Sequence, residues 1–171
     1  MAGSLVLIQE TTVSSATATV TLTGIDSTYD VYTVLLNNVA GTADANFNMR
    51  VTTSGTADSD SEYDTASAIL KSASSFGSTS DENEAQWRIN STVGTDTGEQ
   101  TNHTIYLFNF NNSSEYSFYS NESVKLNASG SLEGYQGGGA HTVAESNDGV
   151  NFFFTSGDIE SGTFKLYGLK K

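Results

Sequence analysis

The sequence predicts an all-β protein, an antiparallel β-sandwich or jelly-roll-like single domain. Three observations carry this: apolar residues rich in β-branched and aromatic types, alternation of period two in successive runs, and Asn, Gly, Asp and Ser between the runs at intervals of about ten residues. At 171 residues the chain can form one core that hides roughly 70% of the surface its unfolded form exposes. Two full domains would be cramped.

Residues 1–10 read as an N-terminal arm or first edge strand, and 11–171 as the sandwich. In "ATATVTL", Ala16, Ala18, Val20 and Leu22 share one face and threonines the other, which is the pattern of a half-buried strand. "GIDSTYD" supplies turn formers, and "VYTVLLNNV" after it is apolar on both faces, as a central strand requires. "ANFNMRVTT" sets Phe47, Met49 and Val51 against Asn46, Asn48, Arg50 and Thr52. A hairpin around "AGTAD" is expected to join these two strands. Residues 55–84 are poor in large apolar side chains and read as a long excursion from the sheet, with Tyr63, Ala66, Ile69 and Leu70 spaced for a short helix within 60–72. Strands resume at "AQWRINSTV", "HTIYLFNF", "YSFYS", "LEGYQGG" and "HTVAE", with "GGGA" from Gly137 to Ala140 as a tight turn or bulge. At the end, Val150, Phe152 and Phe154 are expected to meet Phe164, Leu166 and Gly168 in a hairpin around "SGDIESG". Phe153, Lys165 and Tyr167 then lie on the opposite face.

Twenty acidic against seven basic residues give a formal charge of −13, which disfavours nucleic acid and anionic membrane surfaces as partners. The absence of cysteine removes disulfides, thiolate metal sites and cysteine nucleophiles together. Proline is absent as well, so edge strands must be protected by charge or glycine, or be covered by another chain. The start "MAGSLVLIQE" has no basic segment, and its apolar run is too short for a signal peptide or membrane span. Synthesis and assembly in a cytoplasm are expected.

No residue constellation identifies a reaction, and no catalytic residue or cofactor is assigned. Asp58, Asp60, Glu62 and Asp64 have the spacing that opens a calcium loop, but Tyr63 and Ile69 stand where that loop needs Gly and Glu. A solvated acidic loop without metal is expected. His103 and His141, the only histidines, lie on separate strands without a nucleophile elbow or paired ligand spacing, and read as ordinary strand residues. Tyr29, Tyr32, Tyr116 and Tyr119, interleaved with Asn, make a candidate exposed aromatic face of the kind that binds sugars or proteins.

The opening "MAGSLVLIQETTVSSATATVTLTGIDSTYDVYTVLLNNV", the central "YLFNFNNSSEYSFYS" and the closing "SGDIESGTFKLYGLKK" resemble a family of small tailed-phage virion structural proteins common in marine phages of cyanobacteria. The terminal S-G-x-F-x-L-Y-G, here Ser161, Gly162, Phe164, Leu166, Tyr167 and Gly168, is its most recognisable mark, and the resemblance weakens across 55–84. It implies a non-enzymatic module on a particle's exterior, decorating or cementing the major capsid protein lattice, or else seated on the tail or a fibre as a host-recognition module. A homo-oligomer is expected, located in the virion. Leu5, Val6, Leu7 and Ile8 are the expected docking segment, by strand addition, with Leu169, Lys170 and Lys171 left to touch a partner. A carbohydrate-active enzyme whose carboxylate pair meets only in space is the third expectation.

Overall fold

A computed structural model describes residues 4–170, and it is all-β and antiparallel, with thirteen strands among those residues. The larger sheet has eight strands. From one edge they run β1 (Leu5–Val13), β13 (Ile159–Leu169), β3 (Val31–Gly41), β9 (Thr101–Phe108), β10 (Tyr116–Leu126), β11 (Leu132–Ala144), β6 (Tyr63–Lys71) and β7 (Gly77–Glu84). The smaller sheet runs β2 (Val20–Thr23), β12 (Gly149–Phe154), β4 (Ala45–Thr53) and β5 (Thr56–Ala57), with β8 (Trp87–Val93) also paired to β4. Apolar side chains from both inner faces fill the space between the sheets, including Trp87, Phe47, Phe152, Phe164, Leu36 and Ile105, all essentially inaccessible.

Strand faces follow the alternation, but two strand partners differ from expectation. β3 and β4 do not form a hairpin: β3 pairs with β13 and β9, and β4 with β12, β5 and β8, so "AGTAD" carries the chain from one sheet to the other. β12 and β13 likewise lie in different sheets. Phe152 still meets Phe164, with ring centroids 5.6 Å apart, because the two residues face each other across the core rather than along a ladder. Alternation fixes which face a residue takes, and an apolar inner face can be matched by a neighbouring strand or by the opposite sheet.

The excursion is a hairpin within the larger sheet, and the helix expected within 60–72 is strand β6. Tyr63, Thr65, Ser67 and Ile69 point inward while Ala66, Ala68 and Leu70 are exposed. Tyr63, Ala66 and Leu70 stand at the i, i+3 and i+7 spacing of a helix, while Tyr63 and Ile69, an even number of residues apart, share a strand face, which is why the segment misleads. "GGGA" is neither turn nor bulge but the middle of β11, where Gly137, Gly138 and Gly139 pair with Ser67, Ala66 and Thr65. A Cβ on Gly137 would clash with the Ala66 carbonyl oxygen and one on Gly139 with that of Asp64, so these two glycines permit the close approach of β6, while Gly138 does the same for Tyr119 of β10.

Candidate functional site

Two regions gather the residues singled out in the sequence. The first is the edge of the larger sheet where β1 pairs with β13. Leu5 lies opposite Leu169, and the Lys170 amide donates to the Ser4 carbonyl at 3.0 Å, so both ends of the described chain meet at one corner. Leu5, Val6, Leu7 and Leu169 are 36–49% exposed and Lys170 is exposed; Lys171 lies outside the described residues. Ile8 departs from the expected docking set. It is the extra residue of a bulge between Leu7 and Gln9 and packs against the core.

At the opposite edge, β7 reads GSTSDENE, and its Asp81, Glu82 and Glu84 supply the charge that discourages edge-to-edge pairing. The outer half of β1 has no such protection. Its side chains are Leu, Val and Leu, on an edge left unpaired among the described residues.

The expected tyrosine face divides. Tyr116 is 46% exposed and Tyr29 half-buried, but Tyr32 and Tyr119 are core residues. Tyr32 is held by its hydroxyl, which accepts from the Asp26 amide at 2.9 Å and donates to the Asp26 carbonyl at 2.6 Å. The aromatics exposed beside Tyr116 are Tyr106, Phe108 and Phe118, and Phe108 and Phe118 are directly opposed across β9 and β10. The signal was available: with His103, Ile105 and Leu107 inward in "HTIYLFNF", Tyr106 and Phe108 must face out. Tyr29 lies edge-on to Tyr32, with centroids 5.7 Å apart. It also covers Gly168, where a Cβ would clash with the Tyr29 ring, so this glycine makes room for that side chain.

The second region is the loop leading into β6. Of the four spaced carboxylates, Asp58 and Glu62 turn toward His141 on β11, with Nε2 3.2 Å from Asp58 Oδ2 and 3.4 Å from Glu62 Oε2. Asp60 is exposed, and Asp64 accepts from the Asn83 amide at 2.9 Å in the β6–β7 hairpin. The loop is pinned by the Tyr63 hydroxyl donating to the Asp58 carbonyl at 3.0 Å and by the Thr142 amide donating to the Glu62 carbonyl at 2.8 Å. Glu145, which the sequence did not single out, approaches His141 Nδ1 from the other side at 4.0 Å. Burial, followed by repulsion from Asp58, raises the Glu62 carboxyl above its ordinary value.

His103 is enclosed in a different way. Its Nδ1 faces Asn121 Oδ1 at 2.9 Å, and its Nε2 faces the Thr101 hydroxyl at 2.9 Å and the Asn90 amide at 3.2 Å. Burial lowers its pKa to about 4, so the ring is a neutral member of a core network. A buried ion pair lies near by, Lys125 Nζ to Glu133 Oε2 at 3.1 Å, with Lys125 also donating to the Thr92 carbonyl. Burial opposes ionisation of Glu133, but hydrogen bonds from Lys125 and Asn127 hold its carboxyl below the usual range.

Compared with known proteins, the chain matches no family model, no curated protein and no solved structure.

Proposed function

We propose that the chain is a non-enzymatic structural protein of a tailed-phage particle, a decoration or cement protein that binds the major capsid protein lattice from outside as a homo-oligomer. The observation that carries this reading is the unequal protection of the larger sheet's two edges. β7 bears three carboxylates, whereas the outer half of β1 exposes Leu5, Val6 and Leu7 beside an unpaired backbone edge. Such an edge accepts an added strand from a neighbour, with main-chain hydrogen bonds for affinity and apolar side chains for register. Repetition over a lattice makes weak single contacts sufficient. The family resemblance at both chain ends supports the same location, and a charge of −13 argues against nucleic acid or an anionic membrane as the surface bound.

The test replaces Leu5 and Leu7 together by lysine, the residue that natural edges use for protection. Both positions are exposed, so the fold should persist while co-sedimentation with capsid particles is lost. Undiminished particle binding by this variant would overturn the reading.

A second reading, a tail- or fibre-associated module that recognises a host glycan or protein, is favoured by one depression of about 320 Å³ whose lining includes Asp26, Tyr29, Tyr32, Asn109, Asn111 and Asn112. It brings together a Tyr/Asp segment and an Asn-rich segment that are distant in sequence. Copy number separates the readings: on the order of hundreds per particle means the capsid, a dozen or fewer the tail.

A further inference from the structure

We propose that His141 Nε2, Asp58 and Glu62 form a binding site for a divalent first-row transition ion of the zinc class, with Glu145 orienting the ring from its Nδ1 side. One oxygen each from Asp58 and Glu145 and a ring nitrogen of His141 lie within 4.8 Å of one another. Two ligands bound to a tetrahedral zinc stand about 3.3 Å apart. The distances from Nε2 to Asp58 and Glu62, 3.2 and 3.4 Å, bracket that separation.

The carboxylates alone would amount to an acidic patch. The independent observation is the histidine. His141 is fully buried, its Nδ1 has no hydrogen-bond partner, and the ring is aimed between carboxylates on both sides. Tyr63 and Trp87 wall the ring, with centroids 4.9 and 6.4 Å away, and so fix its direction. With Nε2 on the ion, Nδ1 presents its N–H toward Glu145, the arrangement that orients metal-bound imidazoles.

Charge points the same way. Three carboxylates surround one imidazole, so even a protonated ring leaves negative charge uncompensated. A divalent ion relieves it. The carboxylate side chains remain 21–33% exposed, which gives an ion access from solvent to an otherwise buried ring. Imidazole as a ligand selects zinc, nickel or copper over calcium and magnesium, whose sites are built from oxygen.

The test is isothermal titration of chelator-treated protein with zinc chloride, with calcium chloride as the comparison. One zinc per chain is expected. Asp58→Asn and Glu145→Gln, both partly exposed and near-isosteric, should each weaken binding at least tenfold, the scale of losing one ligand or one ring-orienting partner. Asp60→Asn, exposed and outside the cluster, should weaken it far less than either. A ¹⁵N spectrum of the labelled His141 ring should show one nitrogen shifting on saturation. Absence of saturable zinc heat, calcium binding as tight as zinc, equal loss in Asp60→Asn, or an unmoved His141 ring would each overturn the proposal.

Discussion

Replacing Phe164 by alanine should destabilise the protein by about 4 kcal/mol. Phe164 is fully buried on β13, faces Phe152 on β12 at 5.6 Å, and lies between Thr11 and Leu36 of the flanking strands. Removing a buried aromatic side chain forfeits about 2–3 kcal/mol of transfer free energy, and the remaining void adds about 24 cal/mol per Å³ that does not collapse. Collapse is restricted because Phe152 is stacked on Phe47, 6.0 Å away, and Phe47 packs on Phe154 at 4.8 Å. The internal comparison is Phe153→Ala. That ring is half-buried on the other face, under the Arg50 guanidinium at 4.5 Å, and its loss should cost about 1 kcal/mol. Urea denaturation followed by Trp87 fluorescence measures both, and in thermal melts Phe164→Ala should lower Tm by roughly 12 °C. Equal costs for the two substitutions would refute the face assignment for the whole terminal segment.

Two further perturbations test the buried polar groups. His103 has its folded pKa lowered to about 4 against an ordinary 6.5, so between those values the unfolded chain binds more protons; its contribution is complete above pH 6.5 and falls away toward pH 4. The expected loss is on the order of 3 kcal/mol, and His103→Gln should flatten that part of the stability profile between pH 6.5 and 4, measured by denaturant titration at each pH. Lys125→Ala leaves Glu133 buried without its nearest cation, a loss of about 3 kcal/mol, the lower end of the usual range because Lys71 still stands 3.8 Å from Glu133 and Asn127 donates to it at 3.1 Å. The pair Lys125→Met with Glu133→Leu should recover most of that loss in the same assay, since neither charge is then stranded.

Faces were legible in the sequence because they depend on spacing alone. Phe152, Phe154, Phe164 and Leu166 are buried as the alternation requires, and so are Phe47, Met49 and Val51. Partners were not legible, because "AGTAD" and "SGDIESG" have the composition of a hairpin turn whether the chain folds back in its own sheet or crosses to the other. In β6 the local signal is ambiguous between periods, and the information that resolves it lies about seventy residues away, in the glycines of β11 that admit the strand. The candidate ion site has the same character. Asp58 and Glu62 stood out as carboxylates, but His141 is 83 positions from Asp58, and only the antiparallel register of β11 on β6 places its ring beside the loop before Tyr63.

The bulge at Ile8 divides β1 into two parts with different physical roles. Beyond it, Gln9 bridges the sheets, accepting from the Thr23 amide at 2.7 Å and donating to the Thr21 carbonyl at 3.3 Å; Glu10 pairs with Lys165 at 3.3 Å, and Val13 is buried. Before it, Leu5 to Leu7 are paired, among the described residues, with Tyr167, Gly168 and Leu169, and their side chains are 36–49% exposed. Deleting residues 1–10 would therefore remove the Gln9 bridge along with the exposed leucines, and lost particle association in that truncation would confound docking with a loosened edge. Lysines at 5 and 7 change the half of the strand that can receive a partner and leave the half that secures the sandwich untouched. The docking proposal therefore stands or falls on that pair of substitutions rather than on the truncation.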